Sequence, residues 1–263
     1  MVTYDPCTLP ALEAIPWLRH VVTTRDDALP VGGDMSFTTS AACPEGVAAN
    51  RRRWLAAIGR ETDRAVMCGL VHGTDIRSVD EADAGRGIME PTTAIPRTDG
   101  MTTNTPGLAL MMCFADCVPL IVVDAERRAI GLAHAGWRGT LAGMAGCLVA
   151  AMRARYGSDP ARMLAVIGPS IGPRVYEVGP EVASAFATAY PGHNLLIRTD
   201  SQTRLNLWEA NAAQFRRAGL RPGTIHASGI CTFERGARFF SHRYARLHHE
   251  IEGRFAVLLS IEE

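Results

Sequence analysis

The sequence predicts an α+β protein in which helices cover mixed β-sheets, a layered architecture rather than a regular doubly wound one. Three observations point that way. Hydrophobic residues make up 47% of the 263 positions, the share expected of a chain with a full core. Apolar runs of strand length recur at 108–114, 118–123, 129–133 and 163–167. Helical stripes separate only some of these runs, so strand and helix alternate loosely.

Taken in order, the first 20 residues hold three prolines and Trp17 and read as an irregular start. The β-branched stretch 21–24 predicts a short strand, and the polar stretch 26–43, with Gly32-Gly33, a loop. Val47, Trp54, Leu55 and Ile58 share one face of a helix over 45–58, which leaves Arg51, Arg52 and Arg53 as a solvated face. A strand over 65–71 closes on His72-Gly73-Thr74-Asp75, and 76–79 continues extended. The acid-, Gly- and Pro-rich stretch 80–97 is a loop, and Asp99-Gly100 turns the chain into the central strands. Leu141, Met144, Ala145, Leu148 and Met152 form one stripe of a helix that starts at about Thr140 and ends near Gly157. Strands are predicted at 163–167, 224–228, 239–241 and 254–261. Helices are predicted at 181–189 and 205–218, the second stopped by Gly219 and Pro222.

No charge run, repeat or Ser/Gly linker parts the chain, so one domain over residues 1–263 is expected. Lys+Arg and Asp+Glu both number 27, and this neutral balance argues against nucleic acid or an anionic membrane as partner. No apolar run approaches the ~20 residues of a membrane span. The N-terminus has no basic segment ahead of an apolar one, so a secretory signal is not expected. Seven cysteines without a C-x-x-C pair argue against a disulfide framework and for a reducing cytoplasm. Cys68, Cys113 and Cys147 lie in apolar patterns and are expected to be buried, unreactive thiols.

The chemistry concentrates between Cys113 and Thr140. Cys117 precedes one apolar run, and His134, 17 positions later, follows another on the turn 135–139. His72 also follows a strand. One thiolate and two imidazoles suit a zinc site with its fourth position open. Cys117 and His134 alone equally suit a nucleophile and its base, because an imidazole lowers a neighbouring thiol's pKa. Spacing does not separate these readings. Arg25, Arg138 and Arg243, at strand ends or turns, offer planar forks for phosphate or carboxylate. The stretch 168–172, GPSIG, is neither a Walker A loop nor a dinucleotide fingerprint.

Six segments then occur in order: VHGTD at 71–75, ADCVPL at 115–120, HAGWRGT at 134–140, GPSIGPRVYEVGPEV at 168–182, CT at 231–232 and FFSHR at 239–243. Together they closely resemble the laccase-domain family, also described as multicopper polyphenol oxidase-like or purine nucleoside phosphorylase, which includes the bacterial peptidoglycan editing factor. The resemblance implies a single-domain α/β/β/α layered sandwich with mixed sheets, similar to the catalytic domain of cytotoxic necrotizing factor. It implies a metal, zinc or alternatively copper, held by His72, Cys117 and His134. It also implies phosphorolysis of adenosine, inosine, guanosine and methylthioadenosine, with adenosine deamination. The chain departs from the family pattern in TRDDALPVGGDMSF at 24–37, in Leu70 where Gln is common, and in Tyr244 where a second Arg is common.

The leading expectation is a zinc-dependent purine nucleoside phosphorylase with adenosine deaminase activity, its partners a purine nucleoside and phosphate. Asp116, beside Cys117, is the candidate acid/base, and Arg25, Arg138 and Arg243 are candidate phosphate donors. The alternatives are a Cys–His hydrolase editing peptidoglycan precursors and a copper-dependent polyphenol oxidase. The last sits poorly with eight scattered histidines.

Overall fold

The computed structural model describes residues 7–40 and 43–262. Its centre is two mixed sheets packed face to face. One has the order β1 (Leu18–Val22), β12 (Phe255–Ile261), β5 (Ala109–Phe114), β2 (Ala65–Met67). The other has the order β11 (Ile225–Ala227), β8 (Leu164–Ile167), β6 (Val118–Asp124), β7 (Ala129–Ala135), β4 (Gly100–Thr103), β3 (Ile76–Ser78). Antiparallel pairs dominate in both; β2–β5 at one edge of the first sheet and β11–β8 and β3–β4 at the two edges of the second run parallel. Helices α3 (Trp137–Leu141), α4 (Met144–Tyr156), α5 (Pro180–Ala189) and α6 (Leu207–Arg217) lie on the six-stranded side, and α2 (Pro44–Ala57) covers the four-stranded sheet. The short α1 (Pro10–Glu13), the hairpin β9 (Leu196–Arg198)–β10 (Thr203–Leu205) and α7 (His242–His248) complete the chain. The layers are therefore helix, sheet, sheet, helix, as expected.

Strand parity assigns each side chain to a layer. Along β5, Leu110, Met112 and Phe114 enter the core between the sheets, whereas Ala109, Met111 and Cys113 face the α2 layer. Along β6, Leu120 and Val122 meet α4 and α6, and Ile121 and Val123 meet the other sheet. A strand buried on both faces reads as an unbroken apolar run, which is why these runs stand out in the sequence. Among the described residues, no helix is long and apolar enough to cross a membrane.

Several boundaries differ from expectation. The first six residues lie outside the described part. The rest of the expected irregular start contains α1, and β1 begins at Leu18. β2 ends at Met67, since beyond it only Cys68 bridges Ile95. β7 runs on to Ala135, so His134 is a strand residue opposite Pro119 and not part of a turn. The helix expected from Thr140 is two helices, broken at Gly143, whose φ is 94°. Residues 239–241 form no strand; they lead into α7, with the Ser241 hydroxyl accepting from the Tyr244 amide at 3.1 Å. The hairpin β9–β10 was not foreseen.

Arg51 corrects the expected solvated face of α2. It is 3% exposed, donates to the carbonyls of Met35, Gly87 and Ile88 at 2.6–2.9 Å, and stacks over Phe37. Helical spacing alone did not show that a loop folds back over this side chain. Because these carbonyls have Arg51 as a charged donor, Arg51→Ala should lower stability by roughly 3 kcal/mol or more. Arg51→Lys should recover only part, since an ammonium lacks the planar fork. Urea-unfolding midpoints check this, and a loss below about 1 kcal/mol would contradict it.

Candidate metal centre and substrate cleft

The site caps one end of the core between the sheets. Ile130 and Leu132 of β7 face that core, and strand parity puts His134 on the same side. Cys117 leads into β6 and shares the parity of Ile121 and Val123. The Phe114 ring lies 5.5 Å from His134 and stacks on Phe255, forming a rigid apolar floor. His72 arrives from the loop after β2, its ring edge-on to His134 with centroids 5.0 Å apart. The donor atoms of His72, Cys117 and His134 all lie within 4.8 Å of one another, so the three can hold a metal ion. His134 is buried, Cys117 half-buried and His72 exposed, which leaves one side open.

Two of these neighbours carry left-handed backbone: φ is 62° at His72 and 79° at Asp116. Such conformations persist where surrounding contacts over-determine them. At His72 the constraint is Asp99, fully buried, whose carboxylate accepts from the amides of Val71, His72 and Gly73 at 2.9–3.0 Å. The same carboxylate meets His134 Nδ1 at 3.3 Å. Asp99 was expected only as a turn residue; the sequence carries no signal for this role, because its partners are 26–35 positions away. At Asp116 both oxygens are engaged, Oδ1 by the Thr232 hydroxyl and Oδ2 by the Arg243 amide, each at 2.7 Å.

Charge is strongly polarised here. Burial pushes the Cys117 thiol up, but the neighbouring His134 and His72 outweigh it and bring the group down to about 6. Burial pulls His134 down, and the Cys117 thiolate and Asp99 outweigh it, raising the imidazole to about 9. Burial likewise opposes ionisation of Asp99, yet hydrogen bonds from His134, Gly73 and Val71 hold it down at about 2. Since this folded value is depressed, its contribution to stability is full above the unfolded carboxyl range near ~3.9 and is lost as pH falls towards 2.

Two cavities flank the donors. One, of about 290 Å³, is lined by Trp137, Arg138, Ile171, Tyr176, Leu207 and Arg243 together with Cys117 and His72. The other, of about 460 Å³, runs past His134 and Leu70 to Ser36, Thr38 and Arg254. The Arg138 guanidinium lies 4.2 Å over Trp137. Arg243 donates twice to the Glu177 carbonyl at 3.1 Å and lies over Tyr176. Burial pushes the Tyr176 phenol up to about 12, so it stays protonated. Arg25 is not among the residues lining either cavity; it pairs with Glu250 at 2.8 Å and lies over Phe240.

The turn after Cys113 separates the two neighbouring cysteines. The Cys113 thiol faces the Met35 carbonyl at 3.5 Å, and burial pushes it up to about 11. Burial likewise raises Cys68. Cys147 is half-buried, not buried as its apolar pattern suggested. In metal-free protein at neutral pH an alkylating reagent should therefore modify Cys117 before Cys113 and Cys68, read by peptide mass spectrometry. Faster labelling at Cys113 would reassign the reactive thiol. Gly136 gives a second check. A Cβ there would lie 2.9 Å from Cys117 Sγ and 3.3 Å from His72, although its φ of −71° suits any residue. Gly136→Ala should thus weaken metal uptake, measured by titration. Gly146→Ala in α4, where a Cβ meets nothing within 4 Å, should leave uptake intact and add about 0.5–1 kcal/mol of stability.

Residues 19–262 match the family described as multi-copper polyphenol oxidoreductase laccase. The purine nucleoside phosphorylase YlmD of Geobacillus stearothermophilus is 40% identical over 200 residues, covering 75% of this chain and 73% of that protein. A purine nucleoside phosphorylase of Deinococcus radiodurans is 34% identical over 226 residues, covering 85% and 83%. The crystal structure of the Bacillus licheniformis hypothetical protein YfiH superposes with a TM-score of 0.89 at 28% identity, covering 99% of this chain and 98% of that one. The layered sheets, the convergent donors and a match across nearly the whole chain lead to one conclusion: this protein belongs to the multi-copper polyphenol oxidoreductase laccase family.

Proposed function

We propose that the protein is a purine nucleoside phosphorylase that holds zinc between His72, Cys117 and His134 and also deaminates adenosine. The observation that carries this reading is the convergence of three donors, two of which, His72 and Cys117, line a cleft with aromatic walls and guanidinium groups beside them. The names of relatives 40% and 34% identical support the reaction class.

Trp137 and Tyr176 offer aromatic faces to a purine, and Ile171 and Leu207 offer apolar walls. Phosphate needs charged donors, and Arg138 and Arg243 line the same cleft. Arg243 spends two donors on Glu177 and has five, so others remain for an anion. One soft thiolate and two imidazoles fit zinc, and a three-ligand set leaves a position open. Zinc held there supplies a Lewis acid able to polarise a substrate oxygen. Asp99 orients His134 and fixes the 71–73 turn, the outer support that metal-binding histidines need. Asp116 in this reading is a positioning residue: it grips the Arg243 amide.

The polarised Cys117–His134 pair supports a second reading, a Cys–His hydrolase acting on an amide of a cell-wall precursor. The two part at His72. Under the phosphorylase reading, His72→Ala and Cys117→Ser should each lose metal and lower phosphorolysis of adenosine or inosine. The drop should exceed the ~10–100-fold typical of losing an outer support. Metal analysis of the purified protein should return zinc, and a chelator should abolish activity. Full activity in His72→Ala, insensitive to chelator and accompanied by a trappable covalent intermediate, would leave the hydrolase standing.

A further inference from the structure

Beside the three donors stands a fourth imidazole that none of the roles above uses. His242 opens α7 and lines both cavities, together with His72 and Cys117. Its Nδ1 lies 3.1 Å from Glu252 Oε1, and Glu252 Oε2 meets Arg254 Nη2 at 3.4 Å. Burial opposes ionisation of Glu252, but His242 and Arg254 outweigh it and keep the carboxylate charged. A carboxylate on Nδ1 fixes which ring nitrogen carries the proton and leaves Nε2 for other partners, the arrangement that orients a histidine for proton transfer. The position of His242 is itself built. Asp116 accepts from the Arg243 amide next along the helix, and Ser241 caps the same turn. With its side chain 46% exposed, the ring keeps contact with solvent. The charged and titratable groups around it are Glu252 and Arg254 ahead of β12, Arg243 on its own helix, and across the cavities His72, Cys117, Asp116, Arg138 and Tyr176 on one side and His134 and Cys113 on the other.

We propose that His242, oriented by Glu252, is the general acid that protonates the departing purine; this rests on the phosphorylase reading. A phosphate oxygen forms the bond to C1′ of the ribose, and the C1′–N9 bond breaks with its electron pair passing to the purine. The His242 imidazolium gives its proton to N7 of that purine. The proton lost by phosphate on becoming the sugar ester recharges the imidazole, so charge and atoms balance. The candidate metal donors are not asked to carry this proton, and Asp116, with both oxygens engaged, holds the helix.

The test compares two nucleosides. Guanosine needs N7 protonated as its base leaves; 7-methylguanosine carries that position already alkylated and positive and leaves without a proton. In His242→Gln, kcat for guanosine phosphorolysis should fall by about 10²–10⁴-fold, the range of one general acid. The loss with 7-methylguanosine should shrink to a few-fold, and metal content should match wild type. Glu252→Gln should show the same substrate contrast with a smaller loss. Equal losses on both nucleosides, or none on guanosine, would overturn the role of His242 and leave the phosphorylase reading intact. Wild-type protein inert towards both nucleosides would overturn the phosphorylase reading and this role with it.

Discussion

The site hangs on one buried carboxylate. Asp99 sits where β4 begins and accepts the three amides of the 71–73 turn as well as His134 Nδ1. His72 reaches the site from the loop after β2, in one sheet, whereas His134 lies on β7, in the other. Asp99 therefore ties two of the donors together across the gap between the sheets. It also holds a left-handed histidine in place and supplies negative charge on the far side of an imidazole. A buried carboxylate with fewer partners would be costly to keep ionised. Here its hydrogen bonds outweigh burial.

The layers explain why the chemistry lies at this end. Parity sends alternate residues of β5, β6, β7 and β12 into the core between the sheets, which is dry and close-packed. Phe114 and Phe255 close that core beneath His134. Above it the chain leaves regular strand geometry at Asp116, and polar groups replace apolar ones. A rigid base below and irregular loops above combine precise side-chain placement with access for a ligand.

The loops are ordered by the same means, buried polar groups that meet hydrogen-bond partners from distant elements. The Asp34 carboxylate accepts from the amides of Ser36 and Arg254 and from the hydroxyls of Thr39 and Ser40, shaping the wall of the larger cavity. Thr140 anchors α3: its carbonyl accepts from Tyr190 and Gln214, and its hydroxyl from Asn211. That helix carries Trp137 and Arg138 into the smaller cleft.

The sequence by itself determined the layered class and most of the central strands. Strands buried on both faces must be continuous apolar runs, and α4 must carry a stripe. It also singled out His72, Cys117 and His134, since polar donors at the ends of such runs are unusual enough to notice. What only the tertiary structure decided depends on groups far apart in the chain. Asp99 meets its partners across the two sheets, His242 meets Glu252 through the loop ahead of β12, and Arg51 is buried because distant carbonyls close over it. The same holds for Arg25, which resembles Arg138 and Arg243 locally but ends in an ion pair with Glu250. Periodicity reports which face a residue occupies, whereas a hydrogen bond across 30 or 200 positions depends on where separate elements come to rest.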